Sequence, residues 1–472
     1  MSVIAAGGST QTEVKPGARG RIPVLVIITF GLAAFLLFNA FALNSMLRIV
    51  SPEGYRETVL DHTRDVLHAE GCDDSWGIMA YALKYAQTPH ETPLYAEVFF
   101  NESLKFQYPP SSLFTIAAML KVAGPQWVRT QECPNFDPAS LNDVLGWVFI
   151  LLSAVSAAAL LEIGLRRNVA VARSRLLVLV RVALVGGLAL TFYPIVKAFT
   201  LGQIQIWLNG IFAVGLLLWA TGNRAASGVM IGLMCLVKPH YGLFVLWAAL
   251  RREWHFTVAC VVTAAIGLGA SIAVFGWTDN LDYLHVFWFL SQHGETYYPN
   301  QSFNGLLNRL MELVNPDEYD SLGFDDNGFP PFNPWIYSAT VVTSLAILAA
   351  ALLRRRTEGD RDRVLDFCTM ALSITIASPI AWEHHYGILL PIFAVLLADS
   401  IGNARRLVLL AISYMLISNL FPVANMLAAT GLNIAQSYLL FAALVVLLLL
   451  HTARPGRQIA EAPHALVTEA GR

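Results

Sequence analysis

The sequence predicts an all-α polytopic membrane protein, and three observations carry that reading. Hydrophobic residues make up 56% of the 472 and charged residues only 14%, a balance foreign to soluble domains. Runs such as "VLVIITFGLAAFLLFNAFAL", "FTVACVVTAAIGLGASIAVF" and "SYLLFAALVVLLLLH" approach the ~20 apolar residues that span a hydrocarbon core. Those runs are continuous, whereas barrel strands alternate, so helices rather than a β-barrel are expected.

Sidedness follows from the basic residues. Arg166, Arg167, Arg173 and Arg175, then Arg224, Arg251 and Arg252, Arg354 to Arg356, Arg361 and Arg363, Arg405 and Arg406, and Arg454 and Arg457 lie in short loops. The positive-inside rule assigns these loops to the cytoplasm. Twelve crossings are consistent with this: approximately 23–47, 141–165, 177–197, 202–222, 225–237, 240–250, 255–276, 335–353, 364–379, 384–400, 407–421 and 433–452. The first run is too long for a signal peptide and lacks a small-residue cleavage site, so it reads as a retained helix.

The domain organisation is then a cytoplasmic tail over 1–22, one membrane domain over 23–453 and a second cytoplasmic tail over 454–472. Large outer loops cover 49–140 and 277–334. The segments 225–237 and 240–250 are short for full crossings, and "SSLFTIAAML" (111–120) is expected to be re-entrant or interfacial. Of the five cysteines, Cys235, Cys260 and Cys368 read as small core residues. Cys72 and Cys133 share the first outer loop, where a disulfide is permitted. The chain has no solenoid repeat and no nucleotide-binding glycine loop.

The polar segments that interrupt the apolar runs all fall on the predicted outer side: "GCDDSW", "FQYPPSS", "FYPIVKAFTLGQIQ", "KPHYG", "YYPNQSFNGLLNRL" and "SPIAWEHHYG". None of them contributed to the topology, so their coincidence on one side argues for a single site. Ionisable groups at membrane depth are expensive and default to a functional reading. Lys197, Lys238, Arg309, His384 and His385 offer cationic or donor groups suited to a phosphate. Asp73, Asp74 and Glu383 offer carboxylates able to take a proton from a hydroxyl. A polyprenyl-phosphate-linked sugar would satisfy both sets, with its tail in the bilayer.

Bland readings stand beside these. Lys238 is also placed to snorkel, Gln203 and Gln205 to bond between helices, and Arg309 to pair with Glu312. Asn300 and Gln301 suit a loop cap, Tyr108 with Pro109 and Pro110 suits loop shaping, and the two histidines suit an interfacial pair bonded to backbone. Neighbours on a helix diverge by about 100°, so one histidine of the pair is expected to face away. The Asp-x-Asp of "EGDRDRV" sits among arginines and reads as a solvated charge run.

The ordered set "DDSW", "YPP", "GQIQ", "KP", "NQSFNGLLNRL" and "SPIAWEHH", over roughly residues 70–390, resembles the polytopic GT-C glycosyltransferases, and within them glycosyltransferase family 87. That family includes polyprenol-phosphate-mannose-dependent α-mannosyltransferases of bacterial envelopes. The resemblance implies a GT-C-type bundle of about 12 helices, with interfacial helices in the outer loops, in a bacterial inner membrane with its site facing the periplasm. The implied reaction moves a hexose, mannose foremost, from a polyprenyl-phosphate donor to a lipid-linked or envelope glycan acceptor with inversion. It needs no metal or other cofactor, and membrane lipids rather than nucleic acid are the expected surroundings.

The resemblance makes a first-loop aspartate the base and an outer-loop histidine the phosphate contact. The doublet Asp73-Asp74 departs from the pattern and leaves the base ambiguous. Asp74 is preferred, as the expected N-cap of a helix over "DSWGIMAYALKYA". His385, His384, Lys238, Arg309 and Lys197 are the phosphate candidates. Gln203, Asn300, Gln301, Glu383, Trp382 and Tyr108 are the candidates for sugar or acceptor. A flippase, or a polymerase or ligase of lipid-linked glycans, is the alternative function.

Overall fold

A computed structural model describes residues 22–54, 56–123, 141–168, 174–315, 329–354 and 359–453. Among them there is no strand, only an isolated bridge between Asn300 and Trp382. The chain opens with α1 (Ile22–Leu37) and α2 (Asn44–Val50), joined through a π-helical turn. Next come α3 (Val59–Leu67), α4 (Asp74–Gln87) and α5 (Leu113–Ala123), which lie in the segment between the first two predicted crossings. A central series follows: α6 (Leu141–Asn168), α7 (Arg175–Leu190), α8 (Tyr193–Thr200), α9 (Gln205–Ala220), α10 (Arg224–Cys235), α11 (Leu243–Leu250) and α12 (Trp254–His293). The remainder comprises α13 (Phe303–Glu312), α14 (Pro334–Leu353), α15 (Asp360–Ala377), α16 (Leu389–Ser400), α17 (Ala404–Ser418), α18 (Pro422–Asn425) and α19 (Tyr438–His451).

Helix occupies each of the twelve predicted crossings. Five helical segments are individually long and apolar enough to span a bilayer, and α7 with α8, bent by 56°, makes a sixth if counted as one. The chain is therefore a multi-pass membrane protein, and among the shorter apolar helices α9 is the most enclosed, with 11 of its 16 residues buried. The clearest inner helix is α15, in which 15 of 18 residues are buried, so it is surrounded by protein rather than presenting one apolar stripe. Its Phe367 stacks on Trp219 at 5.2 Å and lies 4.7 Å from Phe244.

The bundle has two chemically distinct ends. At one, arginines from the short loops find carboxylates: Arg251 reaches Asp366 at 2.6 Å, Arg406 reaches Asp399 at 3.3 Å, and Arg361 binds the same Asp399. Asp362, expected to be solvated, is instead buried and paired with Arg361 at 3.2 Å, because the start of α15 is folded into this network. The polar motifs lie at the opposite termini of the same helices. Gln205 starts α9, Lys238 precedes the 3-10 turn that leads into α11, and Ser378 follows α15.

The expected loop after residue 276 begins as helix. Gly276 (φ 81°, ψ 164°) breaks α12, a conformation open to glycine, and the helix then resumes to His293. Carboxylates of this second half cap another segment: Asp279 accepts from the Leu94 amide at 3.0 Å, and Asp282 accepts from those of Tyr95 and Ala96 at 2.9 and 3.0 Å. The two long connecting segments are thereby fastened together over the motif end. Cys72 is disulfide-bonded, and its expected partner Cys133 lies outside the described residues. The tails also lie outside them, apart from residue 22.

Candidate active site

The α8–α9 turn seats the start of α4. Amides of Cys72, Asp74 and Ser75 donate to the carbonyls of Thr200, Leu201 and Gly202 at 2.8, 3.0 and 3.3 Å. Gly202 has φ +66°, and a Cβ there would lie 1.8 Å from the Cys72 carbonyl oxygen. Only glycine permits this approach, which accounts for the glycine of "GQIQ". Asp74 is the first helical residue rather than the N-cap. Asp73 holds the N-cap position, without a side-chain capping bond, because the neighbouring turn already accepts the leading amides.

A cavity of about 520 Å³ opens beside this joint. Asp74 lines it, together with Ser75, Tyr108, Lys197, Gln203, Lys238, Trp382, Glu383, His384 and His385. Gln203 donates its side-chain N–H to the Asp74 carboxylate, while its oxygen accepts from Ser75 at 2.8 Å and Tyr108 at 3.1 Å. Asp74 is open to the cavity, but the cavity walls displace bulk water. That desolvation raises its carboxyl above the ordinary aspartate value, while the Gln203 bond and the charges of Lys197 and Lys105 act against the rise.

Farther along the wall, Lys238 Nζ donates to Gln205 Oε1 at 2.7 Å and lies 2.5 Å from His385 Nε2. Burial disfavours the charged form of Lys238; when protonated, as an anionic ligand would favour, it makes that nitrogen an acceptor and leaves the imidazole proton on Nδ1. Lys238 therefore makes specific polar contacts where snorkelling was the bland reading. Both histidines line the cavity, contrary to the expectation that one would face away. The segment is a 3-10 turn, Glu383–Ile388, standing in the cavity wall, rather than part of a packed α-helix. Lys197 makes no hydrogen bond or ion pair with any described residue, yet its charge acts on Asp74, Glu383 and His384.

Glu383 accepts from the Tyr193 hydroxyl at 3.0 Å, and its second oxygen is buried without a hydrogen-bond partner. Burial pushes its carboxyl up to about 7, against the opposing influence of Lys197, the Tyr193 bond and Arg309. No group of three or more His, Cys, Asp or Glu among the described residues is arranged to hold a metal ion.

Four predicted site residues lie off the cavity wall. Asp73 is buried behind Asp74. Asn300 binds the Ala381 amide and the Pro379 carbonyl, and Gln301 bonds Tyr298, Gln436 and Leu440. Arg309, fully buried, donates to the carbonyls of Tyr297 and Asn300 and to Ser437. Asn300, joined by the Ser302 hydroxyl that donates to the Pro379 carbonyl at 2.7 Å, ties "YYPNQS" to "SPIAWEHH", while Gln301 and Arg309 fasten the first motif to the start of α19.

Lys105, His240 and Ser75 line the cavity without having been selected from the sequence. His240 and Ser75 stood inside quoted motifs. Lys105 lies three residues before Tyr108 with no pattern to mark it.

The sequence pattern of glycosyltransferase family 87 matches residues 106–380. The chain belongs to glycosyltransferase family 87. Two curated relatives carry the name polyprenol-phosphate-mannose-dependent alpha-(1-2)-phosphatidylinositol mannoside mannosyltransferase. The one from Mycolicibacterium smegmatis is 26% identical over 222 residues, covering 45% of this chain and 46% of the relative. The one from Mycobacterium tuberculosis is 27% identical over 222 residues, covering 46% of each chain. The match thus spans about half the length of these relatives. No solved structure matches the chain. As a family 87 member, the chain carries Tyr108, Lys197, Gln203 and Lys238 inside the matched segment, while Asp74 and the Glu383–His385 turn flank it.

Proposed function

We propose that this family 87 protein transfers a hexose, mannose by the relatives' names, from a polyprenyl-phosphate donor to a lipid-linked or envelope glycan acceptor. The reaction takes place at the periplasmic face of a bacterial inner membrane and inverts the anomeric centre. One observation carries the reading: Asp74, Lys197 and the Lys238–His385 pair, far apart in sequence, line the same cavity. A base and fixed positive charge therefore face one bound molecule.

In this mechanism the Asp74 carboxylate takes the proton of the acceptor hydroxyl, and Gln203 orients that carboxylate. The acceptor oxygen attacks the anomeric carbon opposite the phosphate. The carbon–oxygen bond to phosphate breaks, and polyprenyl phosphate departs with the electron pair towards Lys197 and Lys238. Hydrolases that expel an alkoxide need a second, acidic carboxyl. Phosphate is a stable anion, so one base with cationic stabilisation suffices. Trp382, Tyr108 and Glu383 border the space for the sugars.

Purified protein with labelled polyprenyl-phosphate mannose and a phosphatidylinositol mannoside acceptor tests the proposal. Wild type should form a new glycosidic bond, and Asp74→Asn should lower turnover by about 10²- to 10⁴-fold. Undiminished turnover in Asp74→Asn would remove the base. Movement of the donor across vesicles without bond formation would instead identify a flippase.

A further inference from the structure

Lys105 and Glu295 form a second charged unit beside Asp74 to which the mechanism above assigns no role. Lys105 lines the cavity and donates to Glu295 Oε1 at 2.8 Å, with Lys105 23% and Glu295 0% exposed at the side chain. Its ammonium lies 4.7 Å from the Phe329 ring centroid. The other Glu295 oxygen is buried without a hydrogen-bond partner.

The position of Glu295 is fixed through its backbone. Its amide donates to Asn304 Oδ1 at 3.3 Å, and its carbonyl accepts from Asn300 Nδ2 at 2.9 Å. The preceding Gly294 has φ +64°, and a Cβ there would lie 1.6 Å from Asn304 Oδ1. The loop therefore presents one carboxylate, rigidly, to Lys105.

Electrostatics connect this pair to the candidate base. The Lys105 charge favours ionisation of both Asp74 and Glu295. Burial pushes Glu295 up to about 7, Lys105 counters that, and the Asp74 charge pushes it further up. Asp74 is thus faced by Lys197 from α8, Gln203 from the α8–α9 turn, Tyr108 and Lys105 from the segment before α5, and Glu295 after α12.

A substrate that fills the cavity excludes water and so disfavours a charged base. A bound donor phosphate would also offset the Lys197 charge, leaving Lys105 as the cation able to compensate. We infer that Lys105, anchored by Glu295, is a positioning residue that keeps the Asp74 carboxylate charged in the substrate complex. This rests on Asp74 being the base.

The test is the pH dependence of kcat for the full-length protein, with polyprenyl-phosphate mannose and phosphatidylinositol mannoside as substrates. The acid limb of kcat reports the base in the substrate complex. Lys105→Met removes a positive charge and should move that limb to higher pH by about one pH unit. Glu295→Gln loosens the anchor of Lys105, and because the Glu295 carboxyl is pushed up to about 7 it carries little charge where the limb lies, so the limb should move to higher pH by less than in Lys105→Met. Lys105→Arg should keep the wild-type limb.

A graded displacement, largest in Lys105→Met, smaller in Glu295→Gln and absent in Lys105→Arg, is something loss of packing alone would not produce. Coincident limbs in Lys105→Met, Glu295→Gln and wild type would overturn the inference, as would a rise in donor KM with an unmoved limb. If Lys105→Met fails to fold, the Glu295→Gln limb decides, and an unmoved limb there overturns the inference. Failure of the base reading is separate, since it shows as full turnover by Asp74→Asn.

Discussion

The bundle holds two cavities of nearly equal size, about 520 and 490 Å³, with almost opposite walls. The first is lined by three lysines, two carboxylates and three histidines. The second is lined by Val24, Ile28, Leu32, Phe35, Leu161, Leu188, Phe393, Leu410 and similar residues, with Tyr414 as its one polar side chain. The backbone accounts for the difference. Helix middles of α1, α6, α7, α16 and α17 form most of the apolar wall, and their peptide groups are already bonded along the helix. The polar wall is built from helix starts and turns: Asp74 at the start of α4, Gln203 before α9, Lys238 before its 3-10 turn, and the Glu383–Ile388 turn. Ends leave amides and carbonyls that need partners, and in a membrane protein such backbone is tolerated where it lines a cavity. Chemistry therefore collects where helices break at one end of the bundle.

The sharpest way to break this comparison is to remove the one cation in the polar wall that lacks a partner among the described residues. Lys197→Ala should lower kcat/KM by about 10²-fold, the usual loss for a charge-stabilising donor, and should leave the thermal midpoint nearly unchanged because no hydrogen bond or ion pair to a described residue is lost. Retained activity would separate the cavity from phosphate recognition. A paired substitution gives the next largest effect. Ser75→Val removes the hydroxyl bonded to Gln203 and should cost about tenfold in turnover, roughly 1.4 kcal/mol. Ala394→Leu adds comparable apolar bulk to the other cavity and should leave turnover within about twofold, since space rather than strain awaits it. Equal losses from both would mean that the two cavities serve one reaction.

How much of this could be read in advance follows the same division. Helix positions were legible because apolar runs of fixed length have few alternatives in a bilayer, and all twelve segments proved helical. The membership of the site was partly legible: Asp74, Lys197, Gln203, Lys238 and the His384–His385 pair interrupt apolar runs, and they share a cavity. The roles of Asn300, Gln301 and Arg309 were not legible. A buried polar residue that bonds backbone and one that faces a substrate look alike in sequence, and only the carbonyls of Tyr297 and Pro379 tell them apart. Lys105 escaped because a lysine in a long polar segment is ordinary until Glu295, far along the chain, is found against it. The start of α4 was misread by one residue, since the α8–α9 turn accepts the amides of Asp74 and Ser75 and lets the helix begin at Asp74 itself.

The smallest expected effect concerns Glu383, the carboxylate that the polar wall buries most completely. In the folded chain its carboxyl is pushed up from 4.5 to about 7, chiefly by burial. Between those values the folded state keeps a proton that the unfolded chain has released. The contribution to stability is therefore fully present below about 4.5 and is lost as pH rises through about 7. Glu383→Gln removes this dependence, so its thermal midpoint relative to wild type should rise between pH 5 and pH 8. His62, which burial pushes down to about 3, acts with the opposite sign but is common to both proteins and cancels in the difference. Unfolding curves of the pair in one detergent at the two pH values measure it. Parallel midpoints would mean that Glu383 titrates like an exposed glutamate, and the polar cavity would then be far wetter than its walls imply.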